Sequence, residues 1–321
     1  MRGKKKMKTA LTDYYRSYTN AIYEDSDFRR YILGLQTSKL FDEAHQLGEK
    51  ELFKKILDNL LEEAELTLSL ISSQHITKTD SVLEVGGGLG LVYGFLKRQG
   101  YDIWGIEPSD SGFGGYFQAA LQLFKMLGID GSHFHPLSAK EATKLDARFD
   151  VIFSNNVLEH IPELEESISD LQKVLNPNGV MIHNTVNYLI PYEPHFKILL
   201  FPFFPRCTEF FKPVLKESPL WKGLNFITTY KLKRVCIANN LTIRFDTDRL
   251  LRTFTRLDTD PEFAKRQKYF IPIYMFLKST GLIKFLDKIP IACTTPITFI
   301  YWSTFWVFGI LKERHCKTMC N

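Results

Sequence analysis

The chain has 321 residues, of which 45% are hydrophobic and 24% charged, and its formal net charge is +5. These values are ordinary for a globular protein with one large domain and an attachment, and no concentrated basic stripe of the kind that binds nucleic acid is present. We therefore expect no nucleic acid among its partners. The 5 cysteines have no CxxC spacing, which argues against a disulfide framework and favours the reducing cytoplasm.

Residues 1–78 predict an N-terminal helical cover. The basic start, MRGKKKMKTA, is followed by no apolar run and so does not resemble a secretory signal. Between residues 49 and 73, apolar side chains recur at the spacing of one helix face, which predicts a long amphipathic helix.

Residues 82–186 alternate apolar strands with amphipathic helices. The predicted strands are VLEV (82–85), DIWGIE (102–107), DVIFS (150–154) and VMIHNTV (180–186), with helices at 116–127 and 163–175. A helix at 228–239 and a strand at 241–245 continue the pattern. Such alternation is typical of a parallel sheet covered by helices on both faces, so we predict an α/β domain over residues 79–250.

Residues 188–225 interrupt this domain with an aromatic-rich stretch that contains six prolines. A flexible linker does not carry this much apolar surface, and a loop of this length inside a domain is usually functional. We predict that residues 188–225 form a lid over the acceptor, and we call this segment the lid.

The segment VLEVGGGLG, residues 82–90, places a glycine cluster directly after a strand. Ligands of an open α/β sheet bind at the carboxyl ends of the strands, where glycines let the backbone approach closely. The dinucleotide fingerprint GxGxxG fails, because Leu91 stands at its third glycine. Glu84 disfavours a pyrophosphate and favours a cation. Glu107 ends the next strand, where a carboxylate can accept hydrogen bonds from both hydroxyls of a ribose.

These segments resemble the class I methyltransferases that depend on S-adenosylmethionine (SAM). VLEVGGGLG looks like their first motif, GIEPSD like the acid of their second strand, and residues 149–182 like their fourth strand, following helix and fifth strand. The resemblance covers residues 80–186 and implies a doubly wound, seven-stranded, mostly parallel sheet. It also implies SAM as the cofactor, which carries a cationic amino group and a sulfonium but no phosphate.

The resemblance assigns cofactor-binding residues at the ends of the first, second and fourth strands: Glu84, Gly86, Gly88, Gly90, Glu107, Asn155 and Asn156. The first-strand group would face the methionine end and the adenosine of SAM, and Glu107 would hold the ribose. The two asparagines would border the methionine portion and the acceptor. The adenine contact is left open between Glu141 and the backbone of residues 138–139.

Two histidines are candidates for catalysis if the acceptor must lose a proton. His160 follows the fourth predicted strand, where a neutral imidazole suits a base, although a structural role against the next helix fits its position equally well. His195, among apolar residues of the lid, is the second candidate. Glu159 could orient His160. We predict no metal site, since the three candidate ligands between residues 315 and 320 lack a fourth.

Residues 251–321 predict an apolar C-terminal extension. Residues 289–311 carry no charge and are long enough to span a bilayer, but two prolines, central tryptophans and basic residues on both flanks argue against a simple span. Two interpretations remain open. The segment PITFIYW, residues 296–302, is the last strand of the sheet, or residues 269–311 make a peripheral membrane contact. Both can hold together, with the strand folded and STFWVFGILKER at 303–314 touching lipid.

The sequence thus predicts a SAM-dependent methyltransferase of the cytoplasm, with membrane association left open. The expected acceptor is a small molecule, lipid or glycan, methylated on oxygen. One alternative is a membrane-associated scaffold with a methyltransferase fold and no activity. A second is an NAD-dependent oxidoreductase or epimerase, against which the absent third glycine and Glu84 both argue.

Overall fold

The computed structural model describes residues 60, 63–64, 67–68, 70–71, 76–109, 115–189, 191–245, 257–258, 264, 271–281 and the backbone of 303–308. Contacts divide the chain into two compact units, one of residues 1–155 with 170–182 and the other of residues 156–169 with 183–321. The domain limits predicted at 78 and 250 remain a prediction, because most residues on one side of each limit lie outside the described ranges.

The first unit is built on a parallel sheet. Its strands are β1 (Ser81–Val85), β2 (Asp102–Ile106), β3 (Phe134–His135), β4 (Phe149–Asn155) and β5, which begins in this unit and spans Leu175–Thr185. They lie in the order β3-β2-β1-β4-β5, and β1 pairs in parallel with both β2 and β4. The chain order reverses between β1 and β4, which is where open α/β sheets form their ligand crevice.

Helices follow the strands, and the second and third of them lie where the apolar spacing predicts. Helix α1 spans Leu91–Arg98, α2 spans Gly115–Leu127, and α3 spans Leu164–Lys173. The described residues between 60 and 71 are helical, and Ala64, Leu68 and Ile71 are buried, in agreement with the predicted amphipathic helix. The strand cores are dry: Leu83, Ile103 and Ile152 are 0% exposed. The expected α/β class is confirmed.

The strand count differs from the expectation. The first unit carries five strands of the sheet, and not the seven that the family resemblance implies. The other two, β8 (Thr242–Phe245) and β9 (Ser303–Phe308), pair antiparallel in the second unit, with Thr242 opposite Phe308. Strand β3 was not predicted, because two residues are too few to show a period.

The C-terminal prediction needs correction. Among the described residues, the strand nearest the C-terminus is Ser303–Phe308, in the stretch predicted to touch lipid, whereas residues 296–302 lie outside the described residues. Because β9 pairs with β8, a separate apolar extension over 251–321 is not supported. Helix α7 (Ile271–Ser279) also lies in this range. In the described part of the chain, no helix has the length and apolar character to cross a bilayer.

The lid folds as a set of short elements in the second unit. Strands β6 (Tyr192–Glu193) and β7 (Ile198–Leu199) pair antiparallel, and short helices follow at Pro205–Cys207, Thr208–Phe211 (α4), Pro213–Glu217 and Pro219–Gly223 (α5). Helix α6 (Thr229–Ala238) begins after Thr228, whose side chain accepts a hydrogen bond from the backbone N–H of Lys231. Trp221 is 0% exposed and centres a small apolar core.

Candidate functional site

The glycine turn after β1 requires glycine at three positions. Gly86, Gly88 and Gly90 have φ of 69°, 56° and 66°, in the left-handed region that residues with a β-carbon rarely adopt. The backbone N–H groups of Gly86 and Gly87 both donate to the carbonyl of Ile106, at 2.8 and 3.1 Å, which ties the turn to the end of β2. The motif therefore encodes a fixed backbone shape at the carboxyl ends of two adjacent strands.

Gly88 and Gly90 differ in what surrounds them, which predicts different effects of alanine. A β-carbon at Gly88 would meet no atom within 4 Å, whereas one at Gly90 would lie 2.3 Å from the ring of Phe124, which is 2% exposed. We expect Gly90→Ala to lower the free energy of unfolding by about 2–4 kcal/mol, from overpacking added to left-handed strain. Gly88→Ala should cost only about 1–2 kcal/mol but obstruct the cofactor. Thermal unfolding measures the loss of stability in each variant, and calorimetric titration measures its affinity for the cofactor. Equal losses of stability in the two variants would contradict this prediction.

Two acids are buried beside the turn. Glu84 on β1 and Glu107 after β2 are 6% and 5% exposed. One carboxylate oxygen of Glu84 accepts a hydrogen bond from the backbone N–H of Tyr93 at 3.0 Å, and one of Glu107 accepts from the N–H of Gly88 at 2.9 Å. The structure therefore brings together the glycine turn and both acids, as the sequence predicts.

Burial dominates the electrostatics of this pair. Burial, and to a smaller extent the nearby charge of Glu107, raise the pKa of Glu84 to about 8 against the lowering effect of the Tyr93 hydrogen bond. Burial raises the pKa of Glu107 to about 7, against the hydrogen bond from Gly88. Two carboxylates in a dry site favour a cationic ligand and disfavour a phosphate.

Tyr116 is a neighbour of the site that the sequence reading missed. It lies in the first turn of α2. Burial raises the pKa of its phenol, and the charges of Glu63 and Glu107 raise it further, so the phenol lies within electrostatic range of both acids. An aromatic residue at the start of the helix after the second strand was the available signal. A partly buried ring here can pack against a ligand held by Glu107.

The adenine contact proposed for Glu141 is not favoured by the structure. Its carboxylate accepts hydrogen bonds from the backbone N–H and the hydroxyl of Ser138, at 3.1 and 2.8 Å, and caps the short helix Ala139–Leu145. It also pairs with Lys144 at 2.6 Å, and these contacts lower its pKa to about 2. The backbone N–H of Ser138 is engaged in the same cap, so this acid has a local structural role.

The two asparagines lie on either side of the boundary between the units. Asn155 ends β4 in the first unit, and its side-chain amide donates to the carbonyl of Glu63 at 3.2 Å. Asn156 belongs to the second unit, has φ of 59°, and donates its backbone N–H to the carbonyl of Asn184 at 2.9 Å. A positive φ in a residue other than glycine marks a backbone held in place by its surroundings.

In the second unit, both candidate histidines belong to one cluster with a buried acid. The rings of His160 and His195 meet edge to face, with centroids 5.1 Å apart. Nδ1 of His195 lies 2.6 Å from the carboxylate of Glu193, which is 0% exposed. The other carboxylate oxygen of Glu193 accepts from the N–H of Phe196 at 2.7 Å, and the hydroxyl of Tyr188 donates to the first at 3.2 Å.

Within this cluster His195 is the better candidate for the base, whereas the sequence favours His160. Burial, and the neighbouring His195, lower the pKa of His160 to about 3, so His160 is a poor proton acceptor near neutral pH. The His195 side chain is 29% exposed, and the carboxylate of Glu193 orients its ring. Glu159, expected to orient His160, accepts a hydrogen bond from the hydroxyl of Thr185 at 2.6 Å. Within the described residues, no three His, Cys, Asp or Glu side chains group to hold a metal ion.

Known proteins resemble this chain over the same region. A family model described as a methyltransferase domain matches residues 40–218. An uncharacterized protein of Mycobacterium tuberculosis is 34% identical over 195 residues, which are 58% of this chain and 66% of that protein. The ubiquinone biosynthesis O-methyltransferase of an Azoarcus species is 27% identical over 181 residues, 52% of this chain and 73% of that one.

A solved structure, the phosphoethanolamine N-methyltransferase 2 of Haemonchus contortus in complex with SAM, aligns over 75% of this chain and 51% of its own, with 15% identity and a TM-score of 0.43. The family model itself matches more than half of the chain and includes the glycine turn, both acids and β1 to β5. The match confirms the resemblance seen in the sequence. The chain therefore belongs to the family of methyltransferase domains, in the SAM-dependent class I.

Proposed function

We propose that this chain transfers a methyl group from SAM to a small-molecule acceptor. The observation that carries the proposal is the pair of buried carboxylates, Glu84 and Glu107, next to a turn of three glycines with positive φ. SAM supplies a methyl group already activated on a sulfonium, so the protein mainly has to bind, align and exclude water.

The residues of the first unit fit this cofactor. The space beside Gly88 admits close approach of a ligand to the backbone. Glu84 and Glu107 would hold the cationic amino group and the ribose hydroxyls, with Tyr116 beside Glu107. Gly86 and Gly90 would fix the turn, and Asn155 at the end of β4 would border the methionine portion.

This arrangement predicts that SAM affinity rises with pH. Below about pH 7 most Glu107 and Glu84 side chains are protonated, because their pKa values are about 7 and about 8, and binding of a cation requires that the protons leave. We expect affinity to increase at least about tenfold between about pH 6 and about pH 7.5, with net proton release. Titration calorimetry in buffers of different ionisation enthalpy measures both quantities. A flat profile in the wild type, or a slope unchanged in Glu107→Gln, would count against the assignment.

For the acceptor, we propose a hydroxyl compound that loses its proton to His195. Nε2 of His195 would take the proton, and the carboxylate of Glu193 at 2.6 Å from Nδ1 would stabilise the charged imidazole. His160, packed edge to face on His195, would position that ring. O-methylation is also the activity that the name of the Azoarcus relative states for that protein. Lipid and glycan acceptors with a free hydroxyl fit the same chemistry.

The test uses methyl-labelled SAM with an extract of the source cells. Products are separated into small-molecule, lipid, glycan, protein and nucleic-acid pools, and Glu107→Ala serves as the matched control. Label in the small-molecule pool that disappears in the control supports the proposal. Label in the protein or nucleic-acid pool would contradict the proposed acceptor class.

The two alternatives predict other results. An inactive scaffold would bind SAM without labelling any pool, and an NAD-dependent enzyme would bind the nicotinamide cofactor, which the failed GxGxxG fingerprint and Glu84 disfavour.

Peripheral membrane contact through residues 269–311 stays a proposal, since most of that segment lies outside the described residues. Lipid binding that is lost on truncation after residue 268 would support that contact, and unchanged lipid binding would remove it.

A further inference from the structure

The lid exposes an unusual amount of apolar side chain. Six large apolar residues of this segment are at least 65% exposed: Leu199, Phe203, Phe204, Phe210, Phe211 and Val214. We call residues 199–214 the apolar face. A soluble protein rarely leaves a contiguous apolar patch in water, and such a patch usually marks an interaction surface.

The apolar face is held together by the fold. The rings of Phe201 and Phe211 stack, with centroids 6.5 Å apart and an interplanar angle of 12°. The backbone N–H of Phe201 donates to the hydroxyl of buried Thr208 at 2.9 Å. The segment that follows strand β7 is therefore fastened to helix α4, and we assign their exposed apolar side chains to one surface.

Arg206 fixes this surface to the core of the lid. Its guanidinium donates to the carbonyls of Trp221 and Leu224, at 2.9 and 2.8 Å, and lies 4.9 Å from the ring centroid of Phe226. Trp221 beneath it is 0% exposed. The exposed phenylalanines therefore lie on a well-packed core, which keeps them at the surface.

The charges around the apolar face are mostly positive. Lysines 197, 212, 216 and 222 are all exposed, and the ammonium of Lys216 lies 5.7 Å from the ring centroid of Phe210. Of the two acids described between residues 197 and 222, Glu209 accepts a hydrogen bond from the indole N–H of Trp221 at 2.7 Å and lies 3.6 Å from Arg206. This leaves Glu217 as the exposed acid of the segment, against four exposed lysines.

We propose that the apolar face docks on the surface of a bilayer that contains anionic lipid. Phenylalanine and leucine side chains flanked by lysines suit the boundary between acyl chains and anionic headgroups, where apolar burial and electrostatic attraction add. The excess of exposed lysines over exposed acids around the aromatic rings favours anionic headgroups as the occupant. The proposal concerns a different segment from residues 269–311 and is independent of the methyl-transfer chemistry.

The test is cosedimentation of the full chain with vesicles of phosphatidylcholine alone and of phosphatidylcholine with about 30% phosphatidylserine. We expect binding to the anionic vesicles that is weakened by added salt. Two double variants, Phe203→Ser with Phe204→Ser and Lys212→Glu with Lys216→Glu, should each lower binding at least about tenfold. Tyr230→Ser with Ile237→Ser is the matched control, because both residues are exposed on α6 at 59% and 60%.

Several results would overturn the proposal. These are absent binding, equal binding to both vesicle types, or an equal loss in the α6 control. A dimer in sedimentation equilibrium that the phenylalanine variant abolishes, without vesicle binding, would assign the surface to a second copy of the chain. The lysine variant keeps every apolar side chain, so a loss of binding in this variant is not explained by misfolding after the removal of phenylalanines. SAM affinity, measured on the same variants, should be unchanged, which separates failure here from failure of the proposed function.

Discussion

Replacing Glu107 with alanine is expected to weaken SAM binding by about 100-fold and to leave the free energy of unfolding almost unchanged. A carboxylate that accepts two hydrogen bonds from a ribose contributes about 1.5–3 kcal/mol for each, and about 2.8 kcal/mol corresponds to 100-fold in affinity. Alanine removes both bonds and the negative charge. Among the described acids, Glu107 is the one whose carboxylate accepts the hydrogen bond of the Gly88 backbone N–H, so we expect no replacement.

The stability side of this prediction follows from the sign of the pKa shift. Burial raises the pKa of Glu107 from 4.5 to about 7, so the folded chain holds its proton more tightly than the unfolded chain does. Wild-type stability therefore falls as pH rises from about 4.5 to about 7, and this loss should shrink in Glu107→Ala. The lost Gly88 hydrogen bond works in the opposite direction, which is why the net change near neutral pH is small.

Calorimetric titration with SAM and thermal unfolding at about pH 5 and about pH 8 measure both quantities. Glu165→Ala is the matched control, since this acid lies on α3 with a side chain that is 63% exposed. The control should keep wild-type affinity. A wild-type affinity in Glu107→Ala, or the same loss in the control, would show that Glu107 does not hold the cofactor.

Local patterns in the sequence predict the parts of the fold that depend on near neighbours. The strands that became β1, β2, β4 and β5 are runs of apolar residues, and the glycines of residues 86–90 adopt the positive φ that the absence of a β-carbon permits. The acids at the strand ends could also be predicted, because the carboxyl ends of parallel strands lie at the same edge of the sheet. The glycine turn and both acids are found together as expected.

Long-range pairing and buried charge are what the sequence could not reveal. Strand β9 is selected by its register with β8, about 60 residues earlier, and the apolar stretch around it offers several equivalent registers. Glu193 lies next to Pro194 in a two-residue strand, which carries no local sign that its side chain is 0% exposed. Glu141 looked functional but caps a helix, because a capping box uses the same residue type.

Replacing His195 with glutamine is expected to lower kcat by about 100-fold to 10,000-fold, the range that a positioned base contributes. SAM affinity should stay the same, because the residue is proposed to act on the acceptor. Glu193→Gln should lower kcat less, by about tenfold, and move the acid limb of the pH–rate profile to lower pH, since the charged imidazole then loses the carboxylate that stabilises it. Initial rates across pH, with KM and kcat separated, measure both effects.

His133→Gln is the matched control for this pair, because His133 stacks on Trp104 in the first unit, with ring centroids 4.0 Å apart, and takes no part in the cluster. It should keep the wild-type kcat. If the role of Glu193 were purely structural, Glu193→Gln would lower the melting temperature without moving the pH–rate profile. The profile therefore distinguishes a structural role from stabilisation of the charged imidazole. If His195→Gln kept its rate while His160→Gln lost it, the proton would go to His160, and the low pKa caused by its burial would have to rise when the acceptor binds.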